Sequence, residues 1–179
     1  IIASAKTICK RYKGNQAHAE YLEQMAGKFF DLLQKYHGLG ERERLLLRLA
    51  AILHDCGKFI SMSAPGECAY QIIMSTEILG ISHMEREMVA SIVRYNTMEL
   101  PNFNEFDGKL GNDEYLIVMK LAAILRVCNA LDRSHRQKFA DMKLTIKDSN
   151  IVITTAYPDN ITLEKKTLQD KQDFFEEVY

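Results

Sequence analysis

The chain has 179 residues and a mass of 20.5 kDa, enough for one domain or one domain with a small appendage. Its 47% apolar and 26% charged residues are the make-up of a globular chain and exclude a disordered or collagen-like polymer. Lys and Arg total 23 against 24 Asp and Glu, a net charge of −1, which excludes a protein that coats nucleic acid or anionic membrane over its whole surface but leaves room for a local basic patch.

Most of the chain carries helical periodicity. Ile1, Ala5, Ile8 and Tyr12 space a helix over residues 1–12, broken by Gly14 and Asn15. Asn15 then caps a helix running to Tyr36, with Leu22, Met25, Phe29, Leu32 and Leu33 as its apolar stripe. His18 stands four residues before Leu22 and seven before Met25, so it lies on that inward stripe. After His37-Gly38-Leu39-Gly40, a third helix spans Glu41 to Asp55 with Leu45, Leu46, Leu49, Ile52 and Leu53 inward, and Gly57 marks its end.

A loop containing Pro65 and Gly66 precedes a helix from Cys68 to Leu79. Ser82, with Glu85 three residues on, opens another helix to about Tyr95. Pro101–Gly111 reads as a loop, and Asp113 to Leu131 is expected as the longest helix, with Leu121, Ile124, Leu125 and Cys128 inward. Past Ala140 the period changes. Lys143–Lys147 alternates, Asp148-Ser149-Asn150 is a turn, and Ile151–Ala156 is β-branched, which together make a hairpin. Thr162 to Tyr179 returns to helix, with Leu168, Phe174, Phe175 and Val178 apolar. The expected fold is mainly α: a helical bundle over 1–140 followed by a small αβ subdomain over 141–179.

Cys9, Cys56, Cys68 and Cys128 form no CxxC pair, so a thiolate zinc site is not expected and free thiols in a reducing cytoplasm are. No apolar stretch reaches the roughly 20 residues of a membrane helix. The chain opens on Ile1 without a leader and stops straight after FFEEV, so both ends read as cuts and the expectation is an excerpt of a longer protein.

The chemistry-bearing feature is His54-Asp55 at the end of an apolar helix, with His18 inward on another. Imidazole and carboxylate in adjacent positions can reach one cation where a helix unwinds, and His18 adds a ligand from a second direction. An aspartate from a later helix would complete the set of a metal-dependent phosphohydrolase, in which a metal-bound water attacks phosphorus. The same three residues also suit a metal-free polar cluster pinning three helices together. Lys58 stands where a phosphate would meet it, or where a lysine simply favours a helix C-terminus. Arg133, His135, Arg136 and Lys138, with Arg126 upstream, form a basic run that suits a polyanion or a solvated helix end; Arg94 is open to the same two readings. His37 and His83 read as surface residues.

The run LRLAAILHDCGKFI, with His18 in AHAEYLEQMAGKFFDLL, resembles the HD superfamily of metal phosphohydrolases. More narrowly, YQIIMSTEILGISHMEREMVASIVRYN, LAAILRVCNALDRSHRQ and LEKKTLQDKQDFFEEVY resemble, in order, the C-terminal half of the Ppx/GppA exopolyphosphatases and guanosine pentaphosphate phosphohydrolases. The resemblance implies an HD-like helical domain that dimerises and helps hold polyphosphate or guanosine pentaphosphate in the cytoplasm. Hydrolysis and its Mg then belong to actin-like domains outside these residues, and the nine glycines here form no phosphate-cradling loop. It implies metal positions at His18, His54, Asp55 and Asn129; with a polyanion as ligand, Lys58, Arg94, Arg133 and Arg136 are the expected substrate contacts by their charge. Asn129 occupies an aspartate's place, so a divalent ion is expected to bind weakly, with Asp132 one turn further along. No firm cofactor, nucleic acid or membrane partner is expected. The alternative is a self-sufficient metal-dependent HD phosphohydrolase acting on nucleotides or phosphoesters.

Overall fold

A computed structural model describes residues 1–106 and 109–179. Seven α-helices and one hairpin follow in chain order among the described residues: α1 Ile2–Arg11, α2 Gln16–His37, α3 Glu41–Leu53, α4 Pro65–Ser75, α5 His83–Thr97, α6 Asn112–Leu131, β1 Lys143–Lys147, β2 Asn150–Thr154 and α7 Thr162–Val178. This is the mainly-α architecture that the periodicity predicts, with the hairpin and last helix in place.

The caps set the boundaries. The Asn15 side chain accepts from the His18 backbone N–H, so α2 begins where its capping residue stands. Ser82 and Glu85 form the reciprocal box that opens α5. At the far end of α2, Gly38 takes a left-handed φ of 67° and closes the helix. His37 is a correction to the expectation of a surface residue. Its Nε2 donates to the Phe30 carbonyl at 2.9 Å and its Nδ1 accepts from the Leu39 N–H at 2.9 Å, so the ring is buried as an internal cap for the helix end. The α4 boundary also differs from expectation. The helix starts at Pro65, whose fixed φ and missing N–H suit a first turn, and it ends at Ser75, leaving Leu79 exposed in the connection. The expected loop at Pro101–Gly111 holds a short 3-10 turn at Phe103–Glu105, while Asp107 and Gly108 lie outside the described residues.

A three-residue connection makes α2 and α3 antiparallel neighbours, tied on their outer sides by Arg44–Asp31 at 2.8 Å and Arg48–Glu23 at 2.6 Å. The start of α2 therefore lies beside the end of α3. Helix α6 runs through the core, with Leu121, Ile124, Leu125 and Cys128 fully buried, and brings its C-terminus to the same place. In the hairpin, Leu144 pairs with Ile153 and Ile146 with Ile151, so one face of the ribbon is apolar and turned to the bundle. The tight turn uses Asp148 and Ser149 at positive φ (49° and 62°), and Asn150 belongs to β2 rather than to the turn. Helix α7 then packs along α6, where the Arg126 guanidinium lies 4.3 Å from the Phe174 ring centroid.

One close approach fixes the segment that follows α3. A Cβ at Gly57 would stand 1.9 Å from the Pro65 carbonyl oxygen and 2.6 Å from the Ala69 nitrogen, both backbone atoms of α4. Only a residue without a side chain lets α4 press on the 3-10 turn Cys56–Phe59. Gly57→Ala is expected to cost about 3 kcal/mol by forcing that contact apart, read as a lowered urea midpoint with unchanged slope; a midpoint equal to wild type would show that the contact yields freely.

Candidate functional site

The three converging helix ends place a polar centre in the core. His18, on the first turn of α2, has no exposed surface, and its Nδ1 lies 2.6 Å from Asp132 Oδ2 just past the end of α6. Asp132 is buried too. Its Oδ1 accepts from the Gln137 backbone N–H at 2.8 Å, and its Oδ2 accepts from Gln137 Nε2 at 3.1 Å. Both carboxylate oxygens are thus acceptors, so the proton between His18 and Asp132 resides on Nδ1, and in the neutral ring the lone pair is on Nε2. That Nε2 is buried and has no hydrogen-bond partner.

His54 repeats the pattern. Its Nδ1 lies 2.7 Å from the Ala51 carbonyl, which can only accept, so Nδ1 carries the proton. Its Nε2 is buried without a hydrogen bond and sits 3.2 Å from Asp55 Oδ1. Burial holds the His54 imidazole down at about 4, which keeps the ring neutral near pH 7. Burial alone would raise the Asp55 carboxyl; the His54 imidazole and the Lys58 ammonium, 2.7 Å from Oδ1, outweigh it and hold it below the ordinary carboxylate range. His18 and His54 thus each hold a buried ring nitrogen without a hydrogen bond, that of His54 beside the Asp55 carboxylate.

A further ring arrives from the turn after α6. His135 stacks on His18 with centroids 3.8 Å apart and planes 17° apart, and His18 meets His54 edge-on at 4.9 Å. One ligand atom each from His18, Asp55 and His135 falls within 4.8 Å of the others. The backbone pays for this placement: His135 and Gln137 adopt φ of 55° and 49°, the left-handed region that non-glycine residues enter at a cost.

Of the residues that sequence singles out for metal, the structure gathers His18, His54 and Asp55. Asn129 stands half-buried on α6, one turn before Asp132, and its side chain makes no hydrogen bond among the described residues. Asp132 rather than Asn129 meets His18. His135 is missed by sequence reasoning because it reads as one member of the basic run 133–138. The available signal is the Asp132–His135 spacing, a carboxylate and an imidazole on one turn directly after a buried helix. Among the basic candidates, Lys58 is held by Asp55. Arg94 is held by Glu67 at 2.8 Å with its guanidinium 5.1 Å from the Tyr70 ring centroid. Arg133 and Arg136 are exposed and make no ion pair among the described residues.

Compared with known proteins, residues 2–172 match the family model described as Ppx/GppA phosphatase, domain III, which is nearly the whole chain. No curated protein matches it.

The buried neutral His54 makes stability depend on pH. In the unfolded chain a histidine titrates near 6.5, and in the fold His54 titrates at about 4. As pH falls below about 6.5 the unfolded chain takes up the proton first, so the contribution is intact above that pH and is lost progressively down to about pH 4, a total of about 3 kcal/mol. Burial also lowers His37 and His135, which add to the same acid limb. Urea unfolding in chelator from pH 8 to pH 4 is expected to show this limb, and His54→Gln to flatten it; an equal slope in the variant would assign the loss to other groups.

Proposed function

The chain belongs to the Ppx/GppA phosphatase family, as its domain III, and from that premise we propose that it holds the polyanionic substrate rather than hydrolysing it. The substrate class is polyphosphate or guanosine pentaphosphate, and the phosphohydrolase centre is assigned to other domains of the protein. In this reading the chain also supplies a homodimer contact and works in the cytoplasm. No helix among the described residues is long and apolar enough to cross a membrane.

The observation that supports it is the state of the cations. Arg136 opens, with Lys138, Tyr157 and Lys166, onto a cavity of about 600 Å³ at the N-terminal end of α7, where Asp159 is the one acidic lining residue. Lys138 is committed to the Asn160 carbonyl at 2.7 Å and to Glu164 at 3.2 Å. Arg136 and Lys166, with Arg133 nearby in sequence, remain exposed without ion pairs among the described residues, beside helical N–H groups that favour an anion. Lys58 and Arg94 already have carboxylate partners and would have to exchange them for phosphate.

The His18–Asp55–His135 grouping favours a second reading, in which the chain is itself a metal-dependent phosphohydrolase. Phosphate released from nucleotides or phosphoesters by this chain alone, and abolished by Asp55→Ala, would select it.

Titration with polyphosphate at stepped ionic strength tests the first reading. Binding is expected to weaken with salt, and each of Arg133→Ala and Arg136→Ala to raise Kd about tenfold by removing a charge-assisted bond. An isotherm indifferent to both substitutions would overturn this site, and sedimentation as a monomer at high concentration would remove the dimer contact.

A further inference from the structure

We propose that the centre between α2, the end of α3 and the turn after α6 is a binding site for one divalent first-row transition ion, with His18 Nε2, the Asp55 carboxylate and His135 as its ligands. The resemblance to metal phosphohydrolases implies a different set, in which residue 129 supplies the ligand from α6. Here that place is taken by a histidine from the turn beyond the helix, and Asp132 moves into the role of holding His18.

Four observations converge. His18 Nε2 is an unpartnered, fully buried lone pair, and its orientation is fixed from behind by Asp132, itself fixed by Gln137. His54 Nε2 is a second unpartnered lone pair, 3.2 Å from Asp55 Oδ1. Lys58 Nζ, 2.7 Å from that oxygen, is the positive group that stands there now, which marks the point as one that takes a cation. The three proposed ligand atoms already lie within 4.8 Å of one another, so side-chain rotations complete the approach. Finally, the strained backbone at His135 and Gln137 is the segment that sets the stacked ring over His18 and delivers the two Gln137 donors to Asp132. Sparse conformations held by non-glycine residues concentrate where a fixed geometry is required.

The donor set selects the ion. Two imidazole nitrogens and one carboxylate oxygen suit Zn, Co, Ni, Mn or Fe, whereas Mg prefers an all-oxygen octahedron. Lys58 Nζ, 2.7 Å from Asp55 Oδ1, is the competing cation that an incoming ion displaces. The inference goes beyond the polyanion reading and does not rest on it, since the arginines of residues 133–138 and this centre are tested separately.

The test is Co²⁺ and Zn²⁺ titration of the chelator-treated chain, followed by calorimetry, by the visible spectrum of bound Co²⁺ and by the melting temperature, with Mg²⁺ as control. One ion per chain is expected, with a melting temperature that rises with its concentration and no such response to Mg²⁺. His135→Gly removes the ligand yet suits the left-handed backbone, so it is expected to melt like wild type without metal and to lose Co²⁺ binding. Asp132→Asn is expected to weaken binding ten- to a hundredfold. Asn129→Ala is expected to leave Kd unchanged, and Lys58→Ala to tighten it severalfold. Wild-type affinity in His135→Gly, or loss in Asn129→Ala, would overturn the ligand set. Should His135→Gly fold poorly, Lys58→Ala decides: an unchanged Kd there means that Asp55 is not a ligand. A thiolate-to-cobalt charge-transfer band would move the ion to Cys9 or Cys56, and the absence of saturable binding would remove the site altogether.

Discussion

The buried contact between His18 and Asp132 joins two residues 114 positions apart in sequence, and the arrangement of the domain follows from it. Burying a carboxylate is costly unless every acceptor is met. Here the ring nitrogen and two donors of Gln137 meet it. Because those partners come from the first turn of α2 and from the irregular segment after α6, satisfying one acid fixes the approach of two helices and the path of the chain that leaves them. The helix pair α2–α3 adds the third side, since a short antiparallel connection has only one way to bring His54 and Asp55 back beside His18.

The same constraint divides the molecule into an inner polar point and an outer basic turn. The residues that face inward hold and orient a small centre; Arg133 and Arg136, which face outward, make no ion pair among the described residues. Glu164 of α7, fully buried, anchors the turn from below by accepting from Ser134 and Lys138, so the C-terminal helix takes part in presenting the arginines. The fold thus joins an apolar bundle, which supplies rigidity, to one polar end where the binding chemistry gathers.

Much of this was legible in the sequence because its signals are local. Asn15 and Ser82 are capping residues whose effect is complete within four positions, and the Leu22–Met25–Phe29 stripe buries His18 by spacing alone. The turn at Asp148-Ser149 likewise reveals itself between two alternating runs. What escaped is what depends on distant partners. His37 looks like a polar residue at a helix end, and its burial follows from the Phe30 carbonyl and Leu39 N–H that it bridges. His135 sits among arginines, and nothing in its neighbours tells that its backbone is left-handed or that its ring lies on one 117 positions earlier. Asp132 is one turn from Asn129, and helical periodicity does not say which of the two reaches His18.

The turn at 132–138 has little room for change in length. Asp132, His135 and Gln137 serve the interior while Arg133 and Arg136 serve the solvent, so neighbouring positions have opposite duties. Adding or deleting a single residue there would exchange the two sets, driving guanidinium groups toward a pocket made for imidazole and leaving the carboxylate's donors outside. Substitutions that keep the frame, even bulky ones on the outer positions, disturb only one side. In a segment of this kind phase, more than composition, is what inheritance has to preserve.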